Sequence, residues 1–364
     1  MRKKTHPGDF DKALFVTPVL IFLIGIFSVY SASFKSQQSL DQTLAVRQML
    51  WMGTGMLLVF LIVRWDYFKL QDIAWPLYFL SIVFLVLVFF TPARLGAHRW
   101  IRFAGFNFQP SELAKLSTLL VLARYFSAHR VEYATKRDLC TPFLIVGAPL
   151  VLILKEPDLG TALLLVPSFF AMLYLWGFPV KRLFMLMGAG VLASPVFFYF
   201  LKDYQKSRLM VFVNPNADPL GAGYTIIQSR IAIGSGGFWG KGFLGGTQNM
   251  LNFLPERHTD FIFGVVGEEG GFLAGLAVLC LFGFIVRKGF DVCAETPDRF
   301  GSQLACGVTT LLGVQAVINL GMTMGLLPVV GVPLPLVSYG GTSVIITMVF
   351  IGILLNIKMH RPLF

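Results

Sequence analysis

Long apolar runs alternate with short polar connections along the chain, and the run lengths predict bilayer-crossing helices. About 20 mostly apolar residues cover roughly 30 Å of hydrocarbon. Runs of this kind predict spans at 13–32, 46–63, 73–92, 139–154, 159–178 and 183–201. Another begins at Phe261 and reaches residue 286 once Glu268 and Glu269 are admitted. From Phe300 to Ile357 there are 58 residues without a charge, too many for one span. Pro328, Pro333, Pro335 and three glycines break its centre, Leu327 to Gly341. Two helices at 303–326 and 340–357, joined by a folded loop, are therefore predicted. A further helix is expected at 111–127, although it carries Glu112 and Lys115. The expected architecture is an all-α polytopic membrane protein, one domain over residues 1–364, with ten spans.

Composition agrees with that pattern. Apolar residues make up 55% of the chain and charged residues 13%, with a mean hydropathy of +0.71. Soluble domains carry about 25% charged residues. The polar surface is too small for a cytosolic enzyme, a disordered chain or a nucleic-acid-binding domain, despite a net charge of +11. The basic excess reads instead as a topology signal. With the N-terminus inside, 17 Lys and Arg fall on the cytoplasmic side, against seven outside once the one long loop is set aside. Both termini are expected in the cytoplasm. The basic, apolar start ending in Ser31-Ala32-Ser33 is longer than a signal peptide's core and reads as an uncleaved anchor. Four scattered cysteines and five scattered histidines have no metal-ligand spacing, and no nucleotide-binding loop is present.

The polar residues concentrate on the outer side. Residues 202–260 form a 59-residue outer loop rich in aromatic and β-branched positions. Loops of this length are usually functional. Tyr224 to Ile233 suits an interfacial helix, and Gly234 to Gly246 contains seven glycines. Such a stretch either brings its backbone close to a phosphate or simply makes tight turns. Lys202, Lys206, Arg208, Arg230, Lys241 and Arg257 make the loop cationic, as an anionic headgroup or diphosphate would require.

Asp260 closes this loop at the mouth of the next span. It is either a helix N-cap or a carboxylate held at the bilayer surface as a general base. Glu112 and Lys115 share one helix face, and Asp158 stands between two spans on the same outer side. Charges within spans line cavities or pair with each other. One outward polar cavity accounts for Glu112, Lys115, Asp158 and Asp260 together, whereas a Lys115–Asp158 bridge would be purely structural.

Several stretches carry a resemblance. They are Phe108-Gln-Pro-Ser-Glu-Leu-Ala-Lys115, Glu156-Pro-Asp-Leu-Gly-Thr-Ala162, Asp218-Pro-Leu-Gly-Ala-Gly-Tyr224, Ile227-Gln-Ser229, Leu254-Pro-Glu-Arg-His-Thr-Asp-Phe-Ile-Phe263 and the proline-rich Leu327 to Gly341. In these the chain resembles the SEDS family (shape, elongation, division and sporulation proteins), and its elongation branch more than its division branch. The resemblance implies the SEDS fold in the bacterial inner membrane. It also implies polymerisation of lipid II into glycan strands during elongation and rod-shape maintenance, with release of undecaprenyl diphosphate. The family's essential aspartate maps onto Asp260, its cavity carboxylate and lysine onto Glu112 and Lys115, and its Pro-Asp-Leu-Gly acid onto Asp158. Where many relatives have Gln, this chain has Glu156, which receives no role.

The implied chemistry is an inverting glycosyl transfer from a polyprenyl-diphosphate donor. Asp260 would take the acceptor proton, with Arg257 and His258 orienting acceptor or loop. Arg208, and Lys115 beside it, would hold diphosphate oxygens, and a share for a divalent metal ion (Mg or Mn) stays open. The implied partners are a class B penicillin-binding transpeptidase and other elongation-complex proteins. Two alternatives remain: a lipid II flippase, which the intramembrane charges and the proline break would also suit, and a non-catalytic scaffold for the transpeptidase.

Overall fold

A computed structural model describes residues 10–34, 42–92, 99–103, 106–131, 136–200, 203–221 and 223–360. Arg2, Lys3, Lys4, Lys202 and Arg361, used above for topology and loop charge, lie outside the described residues. A helix occupies each of the ten expected intervals. These are α1 (Lys12–Ser33), α2 (Gln42–Arg64), α3 (Lys69–Leu87), α4 (Pro110–Ala128), α5 (Lys136–Lys155), α6 (Leu159–Leu175) and α7 (Val180–Phe200), then, beyond the long loop, α11 (Ile262–Glu295), α12 (Arg299–Thr323) and α13 (Gly341–His360). Among the described residues, six of them (α1–α3 and α11–α13) are long and apolar enough to cross a membrane by length and composition. The described parts of α5 and α6 are shorter apolar helices. The long loop folds as α8 (Asp203–Val213), α9 (Tyr224–Ser235) and α10 (Thr247–Met250), with α9 where an interfacial helix was expected. A short antiparallel hairpin, β1 (Ile101–Phe103) with β2 (Phe106–Phe108), precedes α4 and was not anticipated.

Local chemistry sets the helix starts. Asp11, Asp158 and Asp298 accept the amides of Leu14, Thr161 and Gly301 and so cap α1, α6 and α12. Pro110 occupies the first turn of α4, where its missing N–H costs nothing. α11 outruns its expected end at 286 because helix formation does not stop where hydropathy does. Arg287 and Lys288 carry it onward until the Thr296-Pro297 step, where proline disfavours helix at the preceding residue.

Two helices form the centre. α4 packs against α3, α5, α6 and α12, and α12 against α4, α6 and α11. Both are buried around most of their circumference, which is how α4 accommodates Glu112 and Lys115. The outer helices are reversed in polarity relative to a soluble protein. Leu57, Phe79, Leu144 and Leu192 point outward on α2, α3, α5 and α7, and lipid is the solvent that makes such a surface stable. The proline-rich segment after α12 is not helical, and its Leu334, Leu336 and Val337 are buried in protein. Irregular backbone at that depth requires such burial, because its polar groups must be satisfied internally.

Candidate active site

The turn before α11 is held from three sides. The amides of Thr259 and Phe261 both donate to the Glu256 carbonyl, at 3.1 and 3.2 Å, which curls the chain into the helix. The next three carbonyls each have an external donor. His258 O accepts from the Tyr339 amide at 2.8 Å, Thr259 O from Ser338 Oγ at 2.7 Å, and Asp260 O from Asn319 Nδ2 at 2.9 Å. Asn319 on α12 also reaches Val332 O at 2.7 Å, so one amide group clamps turn and proline-rich loop together.

This clamp fixes the backbone of Asp260 and leaves its carboxylate free for other work. Phe261 is the N-cap of α11 and makes no side-chain cap bond, so Asp260 is not the helix cap. Burial, then the nearby Glu256 charge, pushes the Asp260 carboxyl up to about 6, against the pull of Arg208 and Arg99. Arg208 stands opposite, close to Val329 O at 3.5 Å. It lines a small crevice with Arg99, Pro157, Gln205 and Pro328. Arg99 is braced in place: its guanidinium donates to the carbonyls of Glu156 and Pro157.

Asp158 lies on the same side but is engaged as a cap, accepting from Thr161 Oγ1 at 2.8 Å and Gln109 Nε2 at 3.3 Å. Lys115 does not bridge to it. Its Nζ lies 2.7 Å from Glu112 Oε1 and 3.4 Å from Gln315 Oε1, and the Lys115 side chain is 1% exposed. A completely covered ammonium cannot at the same time grip a diphosphate in the crevice. The pair reaches the site indirectly through α12. Gln315 donates to Pro333 O, and Asn319, one turn on, donates to Val332 O and Asp260 O.

Arg257 Nε donates to Ala32 O at 2.7 Å and ties the loop to the end of α1, while the His258 ring packs edge-on against Tyr339. Glu156 is buried, and among the described residues neither carboxylate oxygen has a hydrogen-bond partner. Burial, then Asp158, pushes it up to about 9, so it is neutral at pH 7.

The glycine-rich stretch is a structural turn. The amides of Lys241 and Gly242 donate to Glu268 O and Glu269 O, and those of Gln248 and Asn249 donate to the Glu268 carboxylate. Its glycines permit close approach to α11: a Cβ on Gly240 would lie 2.1 Å from Glu269 O. With these amides already committed, the segment is no phosphate cradle. Among the described residues, no three His, Cys, Asp or Glu side chains converge on a metal position.

A family model described as a cell cycle protein, covering FtsW, RodA and SpoVE, matches residues 11–362. The chain belongs to the SEDS family. Among its SEDS relatives, the peptidoglycan glycosyltransferase MrdB of Escherichia coli K12 is 42% identical over 79% of this chain and 78% of its own length. The peptidoglycan glycosyltransferase RodA of Treponema pallidum is 31% identical over 97% of this chain and 98% of its own. A chain from a peptidoglycan synthase complex, solved to study coordination of polymerization and crosslinking, superposes with a TM-score of 0.82 at 34% identity, covering 97% of this chain and 98% of that one. The rod shape determining protein RodA of Thermus thermophilus superposes at 0.72 with 29% identity, covering 97% of each chain.

Arg99, Gln315, Asn319 and Ser338 complete this SEDS site, and the sequence reading did not select them. Gln315 and Asn319 did leave a signal: two amides at i and i+4 within the charge-free run from Phe300 to Ile357. Arg99 left only its charge, in the connection before the hairpin.

Proposed function

We propose that the chain is a peptidoglycan glycosyltransferase of the bacterial inner membrane that polymerises lipid II during elongation. In this reading the chain crosses the membrane ten times, with both termini in the cytoplasm and the 202–260 loop outside. The observation that carries this reading is the Asp260 turn: three successive carbonyls are clamped, while among the described residues the half-buried carboxylate makes no hydrogen bond or ion pair and feels the charges of Arg208 and Arg99. A general base is most effective when its pKa lies just below the working pH, as a value near 6 does.

In the reaction, Asp260 accepts the proton of the acceptor's 4-hydroxyl as that oxygen bonds to the anomeric carbon of the donor MurNAc. The bond from that carbon to the diphosphate breaks, and its electron pair leaves on the diphosphate. Arg208 and Arg99 stabilise the charge gathering there. Attack from the opposite face inverts the sugar carbon from α to β. The leaving group is already activated, so no second carboxylic acid has to protonate it, unlike in glycoside hydrolysis.

Buried Lys115 and Glu112 support α12 beneath this site, Asp158 shapes its far wall, and Arg257 and His258 hold the loop. A class B penicillin-binding transpeptidase and other elongation proteins complete the assembly, a reading supported by the structural likeness to a subunit of a peptidoglycan synthase complex. The identity to MrdB and the likeness to a rod shape determining protein favour the elongation branch. The test is polymerisation of purified lipid II by the wild type and by Asp260→Asn, each with and without the transpeptidase. Glycan from the wild type alone supports the assignment. No glycan from an intact wild-type complex would favour the flippase, which a transbilayer lipid II assay in liposomes then examines.

A further inference from the structure

A second polar cavity lies far from Asp260, where α4, α6 and α11 end and α12 begins. It is lined by Arg130, Arg299, Thr296, Ser302, Phe126 and Trp176, among others. Arg299 opens α12, and Asn319 on the same helix touches the Asp260 turn. Twenty residues of helix separate them, about 30 Å at 1.5 Å per residue. That is the thickness of a bilayer core, so the cavity sits at headgroup depth on the opposite, cytoplasmic face.

Its chemistry is specific. Arg130 and Arg299 are exposed, and among the described residues neither has a hydrogen bond or an ion pair. The acid between them is already occupied: Asp298 accepts the Gly301 amide on one oxygen and the Tyr67 hydroxyl on the other. The Thr296 and Ser302 hydroxyls donate to Val292 O and Cys293 O. The two guanidinium groups are thus the unspent donors at the mouth. Leu175 is the exposed apolar residue of the lining, backed by the largely buried Trp176 and Phe126, and the Trp176 indole is anchored to His129 O at 2.7 Å. A free phosphate needs only the cations, whereas a phospholipid uses both the cations and the apolar lining.

We propose that this cavity binds the headgroup of an anionic phospholipid of the cytoplasmic leaflet. Arg130 and Arg299 hold the phosphate, and the glycerol and upper acyl chains lie along Leu175 and the exposed part of Trp176. Each arginine near an anionic surface contributes about fivefold in affinity, so the two together contribute about 25-fold.

The experiment is native mass spectrometry of the full-length protein in detergent, titrated with phosphatidylglycerol, cardiolipin or zwitterionic phosphatidylethanolamine. Wild type is expected to retain the two anionic lipids and not the zwitterionic one. R130Q/R299Q loses about 25-fold in retention, and R130K/R299K keeps most of it. An unchanged unfolding temperature for R130Q/R299Q ties that loss to charge and not to misfolding. Equal retention of anionic lipid by wild type and R130Q/R299Q overturns the proposal. Displacement of the lipid by millimolar inorganic phosphate also overturns it, by assigning the pocket to a soluble anion.

Discussion

The Asp260 carboxylate and the Arg208 guanidinium both border Gly331: a methyl group on Gly331 would lie 3.4 Å from Asp260 Oδ2 and 3.7 Å from Arg208 Nη1. Gly331 has φ +73°, a conformation that residues with a Cβ rarely adopt. The glycine therefore serves two ends. It lets the proline-rich loop turn, and on the proposed mechanism it leaves room beside Asp260 and Arg208 for the substrate.

Gly331→Ala is expected to impair both roles. The left-handed backbone costs about 1–2 kcal/mol, which a modest fall in unfolding temperature would register. The added methyl also occupies the gap, so lipid II polymerisation should fall further than stability does. Wild-type turnover from this variant would mean that the gap between Asp260 and Arg208 is not the reaction space.

The pH dependence follows from the raised Asp260 carboxyl. The base is competent when ionised, above about pH 6, and is lost as pH falls through that value. A plot of kcat/KM against pH should show an acid limb near 6 in wild type. Asp260→Asn should reduce the rate by at least about 100-fold on the plateau above pH 6 and should show no such limb. Because burial opposes ionisation of Asp260, the Asn variant should unfold no earlier than wild type at pH 7.5. An acid limb near 4 would place the titrating base elsewhere.

How much of this was legible follows from where each signal resides. Helix positions could be read from the chain because lipid demands apolar runs of fixed length. The far end of α11 could not, since Arg287 and Lys288 end the apolar run while the backbone continues as helix to Glu295. Asp260 was visible by place and motif, but cap and base look alike in sequence. The geometry removes the cap, through a Phe261 cap position that takes no side-chain bond, and leaves the base as the proposal. The clamp on residues 258–260 was invisible, because its donors Asn319, Ser338 and Tyr339 are 59 to 81 residues away in the chain. The glycine-rich stretch was ambiguous for a similar reason: its true partner, Glu268, lies in a segment read as membrane-spanning.

The Glu112–Lys115 pair makes a prediction about stability. Removing one partner of a buried ion pair strands the other charge, at a cost of about 3–5 kcal/mol. Lys115→Met should therefore lower the unfolding temperature sharply, and Glu112→Gln less so, because a neutral amide can still face Lys115. The double variant Glu112→Gln/Lys115→Met removes both charges and should recover most of the loss. Thermal unfolding of all three in one detergent completes the cycle. A double variant no more stable than Lys115→Met would show that Lys115 is held chiefly by Gln315 and not by Glu112.

Glu268, near the start of α11, provides the last test. Its Oε1 accepts from Lys241 Nζ at 2.8 Å, Thr247 Oγ1 at 3.1 Å and the Gln248 amide at 3.0 Å, and Oε2 accepts from the Asn249 amide at 3.3 Å. One buried carboxylate thus fastens residues 241–249 onto α11. Glu268→Ala strands those donors, each at about 1–3 kcal/mol if it stays buried, so the segment should detach locally. Hydrogen exchange should speed up at the Gln248 and Asn249 amides. The amides of Phe261 and Tyr339, which bond within the Asp260 clamp, should keep their protection. Faster exchange at all four positions would mean that the glycine-rich turn and the Asp260 clamp unfold as one unit, making Glu268 a support of the active site itself.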